Sequence, residues 1–328
     1  MNARSRNLLA GLTLTLGLLT IQADGQQGIK LGYINKLGDL SWFVAEVQGA
    51  KDKAKALGVN LLVQDVQSDA NLTITAMDTM IADGVQGIAI VVPDTGLGPT
   101  VIDKARKAGI PLIAVDDDIK DKDGKFAPYV GLDGTALGQR VGTELGKQWR
   151  TRKWNPADTR ILSFEIAGTQ TCMDRTRGAE ATFRRAVPNF PQSQIIRLPY
   201  DGGLVSALDA AAPALTANAN AKNWIIWSCN DNGVLGGVRA TENAGIEAAN
   251  VMGYGIDGSM ACDAFKSGKP TGFEGTLRLE SYDHGASAIN LLFNNITKKQ
   301  AIPARTISTP VFINKANFAG LRSKLGCP

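Results

Sequence analysis

One histidine, His284, and four cysteines are all that 328 residues contain of the strongest metal-ligating side chains, and no paired C-x-x-C spacing joins the cysteines. A zinc site is therefore hard to assemble, and no metal is expected. Hydrolases of the Ser/His/Asp kind are equally hard to build, because no serine stands at a nucleophile elbow and His284 falls within a helical pattern with no partner cluster, which assigns it a structural role. Neither a G-x-G-x-x-G nor a G-x-x-x-x-G-K-[ST] motif follows any strand, so no phosphate cradle and no nucleotide cofactor are expected. Blocks of lysine and arginine are also missing. The 35 basic and 31 acidic side chains leave a net charge of +4 spread along the chain, which is not the footprint of a nucleic-acid binder. With 44% hydrophobic and 20% charged residues the chain is not of disordered composition, and its length predicts two domains.

The first residues carry an address. Arg4 and Arg6 precede an apolar run from Leu8 to Ile21, which ends in Ala23, Asp24 and Gly25, the order of a cleavable secretory signal. Residues 1–25 are read as that signal, and no cysteine follows the run to take a lipid. No later segment is apolar enough to span a membrane. The expected compartment is the periplasm. In that oxidising setting Cys262 and Cys327 are read either as a disulfide or as two buried thiols, since sequence does not fix their separation.

From Ile29 onward strand and helix alternate. Apolar runs at Ile29, Val59, Gly87 and Pro111 are followed by amphipathic stretches starting near Ser41, Asp69 and Gly96, the pattern of a parallel sheet covered on both faces. After the charged, glycine-containing stretch Asp121–Pro128 the alternation restarts, with strands read at Arg160–Ile166, Gln194–Leu198, Trp224–Trp227, Val251–Ile256 and Thr271–Leu277. A helix from Tyr282 to Asn295 and one strand from Thr306 to Ile313 follow. The fold class is α/β, with two similar doubly wound parallel-sheet lobes. Residues 26–134 with 280–309 form one lobe and 135–279 with 310–328 the other, joined by a multi-strand hinge near Ile119–Val130, Leu277–Ser281 and Ser308–Phe312.

In open α/β sheets ligands bind beyond the carboxyl ends of the strands. Polar groups stand there in five places: Lys36 with the aromatics Trp42 and Phe43, Asp116 to Asp118, Arg175 in D-R-T-R-G, Asn230 after Cys229, and Asp257. Two places fall in the first half and three in the second, so both halves offer groups to one cleft. Carboxylates, an amide and fixed cationic donors match the dual hydrogen-bonding character of sugar hydroxyls, and an aromatic packs against the apolar face of a sugar ring. Each residue has a second reading. Trp42 and Phe43 are equally core residues, Asn230 a helix cap, Asp257 a turn residue and Leu132 plain core.

The segments KLGYINKLGDLSWF (Lys30 to Phe43), GIPLIAVDDD (Gly109 to Asp118), DRTRG (Asp174 to Gly178), NDNGVLGGVRATENAG (Asn230 to Gly245) and GYGIDG (Gly253 to Gly258) resemble the type I periplasmic sugar-binding proteins of bacterial ABC importers, in particular the L-arabinose-binding branch. The resemblance implies a binding protein, not an enzyme. Lys36 would bind ligand, Trp42 would stack on the ring beside Phe43, Asp116 and Asp117 would form a carboxylate pair, and Arg175 and Asn230 would read the ring oxygen region and a hydroxyl. Cys229 occupies the place of an apolar methionine beside the sugar, and Asp257 that of an asparagine or aspartate. Leu40, Met260 and Leu279 depart from the branch at places that tune sugar choice. The implied partners are a monosaccharide, most simply L-arabinose, with D-galactose, D-fucose and xylose as alternatives, an inner-membrane permease with its ATPase, and a chemoreceptor as a second output. A monomer is expected.

Overall fold

A computed structural model describes residues 28–322 together with Leu325 and Cys327, so the signal read at residues 1–25 lies outside the described residues. The first run is β1 (Lys30–Asn35), α1 (Ser41–Leu57), β2 (Asn60–Asp65), α2 (Ala70–Ala82), β3 (Ile88–Ile90), α3 (Gly98–Ala108), β4 (Leu112–Val115) and β5 (Tyr129–Gly131). The chain continues through α4 (Gly134–Arg152), β6 (Thr159–Glu165), α5 (Gln170–Ala186), β7 (Ile195–Pro199), α6 (Leu204–Ala217), β8 (Asn223–Ser228), α7 (Asp231–Asn243), β9 (Val251–Asp257), α8 (Ala261–Phe265) and β10 (Phe273–Arg278). It ends with α9 (Ser281–Lys298), β11 (Arg305–Ile307), β12 (Val311–Asn314) and α10 (Phe318–Leu321).

Two six-stranded sheets result, ordered β11-β5-β4-β3-β1-β2 and β12-β10-β9-β8-β6-β7. All neighbours are parallel except β12, which runs antiparallel to β10. The strands are continuously apolar because helices cover both faces; Ile88–Ile90 and Leu112–Val115 are buried at every position. Two helices of the first run and its continuation start where an aspartate satisfies a free N–H. Asp69 accepts from Leu72 N–H, and Asp133 from Ala136 N–H. Among the described residues no helix is long and apolar enough to cross a membrane.

The chain passes between the sheets three times, at Leu132–Asp133, Leu279–Glu280 and Ser308–Pro310. Two details differ from the sequence expectation. Ile119–Val130 is not a crossing: Ile119 is buried in the first lobe, Lys120 bridges to Phe126, and β5 joins the first sheet beside β4. The stretch reads as a linker because its charge and glycine serve a surface turn, in which Asp121 accepts from the N–H groups of Asp123 and Lys125. The strand expected over Thr306–Ile313 is two strands, broken at Ser308–Pro310 where the chain leaves one sheet for the other.

Each lobe also contains a helix pair in close backbone contact. A Cβ at Gly285 of α9 would overlap the Glu46 carbonyl oxygen of α1, and one at Gly138 of α4 would overlap the Arg175 carbonyl oxygen of α5. These contacts place α1, which carries Trp42, and α5, which carries Arg175, against fixed partners.

Candidate functional site

The carboxyl ends of β1, β4, β6, β8 and β9 carry the polar groups, and the two lobes contribute opposite walls. On the first lobe, Lys36 follows β1 and its Nζ lies 2.8 Å from Asp117 Oδ2, both side chains about one quarter exposed at 25% and 26%. Burial pushes the Asp117 carboxyl up, with Lys36 opposing. Asp116 turns inward, with a φ of 60° that an aspartate tolerates at a strand end. Its Oδ1 lies 2.6 Å from His284 Nδ1, and its Oδ2 accepts a short bond from Trp42 Nε1. Trp42 is half-buried, packs against core clusters of both lobes, and meets the His284 ring edge-on at 5.6 Å between centroids. The backbone oxygen of Trp42 accepts from Ser281 Oγ at 2.8 Å.

Behind this wall lies a buried polar chain. Tyr33 Oη donates to Glu46 Oε1, and Glu46 in turn bonds Asp116. Burial and the neighbouring Asp116 charge push the Glu46 carboxyl well above the usual carboxylate range, and burial with Glu46 pushes the Tyr33 hydroxyl up as well. Burial also pushes Asp116 up, but the bonds from His284, Glu46 and Trp42 outweigh it and hold that group below its ordinary value. Two carboxyls this close favour one negative charge between them, burial disfavouring the anion at Glu46 and hydrogen bonds favouring it at Asp116. Glu46 Oε2 has no hydrogen-bond partner among the described residues.

On the second lobe, Arg175 projects from α5. Its Nη1 donates to the Cys229 carbonyl at 2.8 Å, while its Nε is buried with no protein partner among the described residues. Burial lowers its pKa, opposed by Asp257 on its own lobe and by Asp116 across the cleft, so cation and carboxylates of opposite lobes lie within electrostatic reach. Asp257 ends β9 at a φ of 112°, and its Oδ1 accepts from Ser259 N–H at 2.7 Å. Burial raises its carboxyl. Asn230 caps α7, its Oδ1 accepting from Gly233 N–H and from Tyr200 Oη, both at 2.9 Å, and its Nδ2 donates to Gly202 O at 2.8 Å.

Lys36 thus follows β1, Asp116 and Asp117 follow β4, Asn230 follows β8 and Asp257 ends β9, while Trp42 and Arg175 stand on α1 and α5. Three further residues lie in a core or against one. Phe43 is 8% exposed and belongs to the first lobe's core, with only its ring face turned to Lys36 Nζ at 5.9 Å, because the apolar face of α1 points at the sheet. Cys229 is not a thiol lining the cleft: its sulfur is bonded to Cys172 and lies in the second lobe's core. Leu132 is half-buried against the second lobe's core, its N–H donating to Tyr129 Oη. Cys262 and Cys327 are also paired, so the disulfide alternative holds there. Asp118 is drawn off to Arg305, 2.7 Å away. Sequence reasoning missed Glu46, Tyr33, Tyr200 and the site role of His284. Glu46 had a visible signal, a carboxylate four residues after Trp42 on the buried stripe of an amphipathic helix.

A polar cleft of this kind, with buried Arg175 Nε, Asn35 Oδ1 and His284 Nε2 lacking partners among the described residues, suits an uncharged ligand that both donates and accepts. Comparison with known proteins gives the same direction. The sequence profile described as the periplasmic binding protein domain matches residues 31–300. The L-arabinose-binding periplasmic protein of Escherichia coli (strain K12) is 32% identical over 318 residues, 95% of this chain and 96% of the relative. The ABC transporter L-arabinose-binding periplasmic protein of Azospirillum brasilense is 32% identical over 333 residues, again 95% and 96% of the two chains. Among solved structures, a periplasmic ribose ABC transporter protein from Conexibacter woesei DSM 14684 superposes with a TM-score of 0.76 at 20% identity, over 90% of this chain and 95% of that one, a likeness of fold.

Proposed function

The chain belongs to the periplasmic binding protein family, and on that premise we propose that its cleft takes a monosaccharide, L-arabinose first among the aldoses, and presents it to an inner-membrane permease and ATPase. The protein is the periplasmic sugar-binding component of an ABC importer, and its task is binding, not catalysis. What supports the ligand class is the pairing of Lys36 with Asp117 and Trp42 with Asp116 on one lobe, together with Arg175, which feels both Asp257 of its own lobe and Asp116 of the other.

Binding and closure are coupled through that division. A sugar that bonds to one wall gains little from the open form, whereas one that bridges both favours the closed form by the sum of its cross-cleft bonds. Closing removes water from the charged groups and strengthens each bond, because a hydrogen bond to an ion contributes about 1.5–3 kcal/mol. The indole of Trp42, anchored at its N–H and reaching the cores of both lobes, supplies an apolar face for the ring C–H groups. The N-terminal sequence supports export by a cleaved signal.

The test is a thermal-shift screen of the exported chain against L-arabinose, D-galactose, D-fucose, D-xylose, D-ribose and D-fructose. At a hundred times its dissociation constant a ligand adds about 2.7 kcal/mol of stability, a shift easily resolved. A flat response to every sugar would overturn the reading.

A further inference from the structure

The Cys172–Cys229 disulfide lies against the site, not at the periphery. Cys172 is in the first turn of α5, three residues before Arg175, and Cys229 immediately precedes Asn230 at the end of β8. Their Cα atoms are 4.7 Å apart. The carbonyl that receives Arg175 Nη1 is that of Cys229 itself. Around the bond, Cys172 Sγ accepts from Ile166 N–H at 3.3 Å, and Tyr200 Oη contacts Ser228 Oγ, Cys229 Sγ and Asn230 Oδ1 at 2.9, 3.1 and 2.9 Å. Thr169, the residue that caps α5, makes no side-chain capping bond.

We propose that the Cys172–Cys229 disulfide is a positioning element of the binding site, fixing the start of α5 against the end of β8 so that Arg175 meets the ligand preorganised. The inference rests on the proposed sugar-binding reading. Arg175 spends one donor on the Cys229 carbonyl and keeps Nε free of partners among the described residues. That fork aims correctly only while helix and strand end keep their spacing. With the covalent tie gone, the ligand must order both segments as it binds, and affinity falls by that ordering cost.

The second disulfide supplies the control. Cys262–Cys327 ties α8 to the C-terminal tail and touches none of these groups. The experiment titrates L-arabinose at 25 °C into wild type, C172A/C229A, C262A/C327A, R175A and the triple variant C172A/C229A/R175A. Expected is an affinity about tenfold weaker in C172A/C229A, unchanged affinity in C262A/C327A despite a lower melting temperature, and no further loss when the disulfide is removed from R175A. That last result marks action through Arg175, which a purely stabilising crosslink would not produce. If C172A/C229A does not fold, C262A/C327A, which keeps the Cys172–Cys229 bond, is titrated before and after treatment with a dithiol. Two electrons and two protons pass from the dithiol to that disulfide, giving two cysteine thiols and the cyclic oxidised reagent. Equal affinity with and without the Cys172–Cys229 bond overturns the inference alone. Wild type that binds none of the sugars removes the sugar-binding reading and the inference with it.

Discussion

Replacing Glu46 with glutamine should raise the stability of the protein progressively with pH. Glu46 is fully buried, and burial and Asp116 both hold its proton. In the unfolded chain a glutamate releases that proton near pH ~4.3. Above this point the native state binds one proton more than the unfolded state, so stability falls as pH rises, by about 1.4 kcal/mol per unit, until Glu46 itself titrates. The glutamine of the E46Q variant keeps the geometry, with its amide donating to Asp116 and its carbonyl accepting from Tyr33, but has no proton to hold. The difference between the two proteins should therefore grow with pH in favour of the variant at that slope, from above the unfolded value until Glu46 titrates. The other carboxyls that burial raises, Asp117, Asp231, Asp257 and Glu274, are common to both proteins and cancel in the difference. Asp116, held below its ordinary value, acts only under more acidic conditions. The assay is sugar-free denaturant unfolding of both proteins at half-unit pH steps. Parallel stability curves would mean that Glu46 is ionised in the native state, and the account of one negative charge between the two carboxyls would be wrong.

Arg175→Ala should weaken sugar affinity about 10–100-fold, from the loss of charge-assisted bonds, with melting temperature nearly unchanged; calorimetry checks the first and scanning fluorimetry the second. Gly138→Ala forces α4 away from the Arg175 carbonyl, so a loss of about 1–3 kcal/mol in stability accompanied by weaker binding is expected, and unchanged affinity would separate the helix contact from the site. Loss of the Cys262–Cys327 bond, which closes a sequence separation of 65 residues, should cost about 4 kcal/mol by chain entropy, read from denaturant midpoints. His284→Ala should weaken sugar binding by freeing Asp116 and the edge-packed Trp42, whereas His284→Asn, which restores a donor to Asp116, should recover part of the affinity in the same titration.

The alternation of strand and helix was legible because both sheets are buried on both faces, so each strand is an apolar run and each helix a stripe. The strand-end groups were legible for the same reason: Asp116, Asp257 and Asn230 each interrupt apolar sequence where a buried strand stops. What sequence did not reveal depends on contacts between distant segments. Asp116 and His284 are 168 residues apart, and only the docking of α9 on α1 joins them. Cys172 and Cys229 are 57 residues apart, and four cysteines allow three pairings, so that bond could not be read in advance. Phe43 stayed open between core and site because it adjoins Trp42 at a helix start, and only the packing of α1 puts it in the first lobe's core. The hinge was misplaced at Ile119–Val130 because a charged surface turn and a lobe boundary share the same composition.

The central claim is that one sugar is held by both walls of the cleft, and calorimetric titration of L-arabinose into wild type, D117N and R175A tests it most directly. The account predicts one site per chain in wild type and affinity lowered at least tenfold by each substitution, although Asp117 and Arg175 belong to different lobes. Unchanged affinity in either variant, or no saturable heat in wild type, would contradict it.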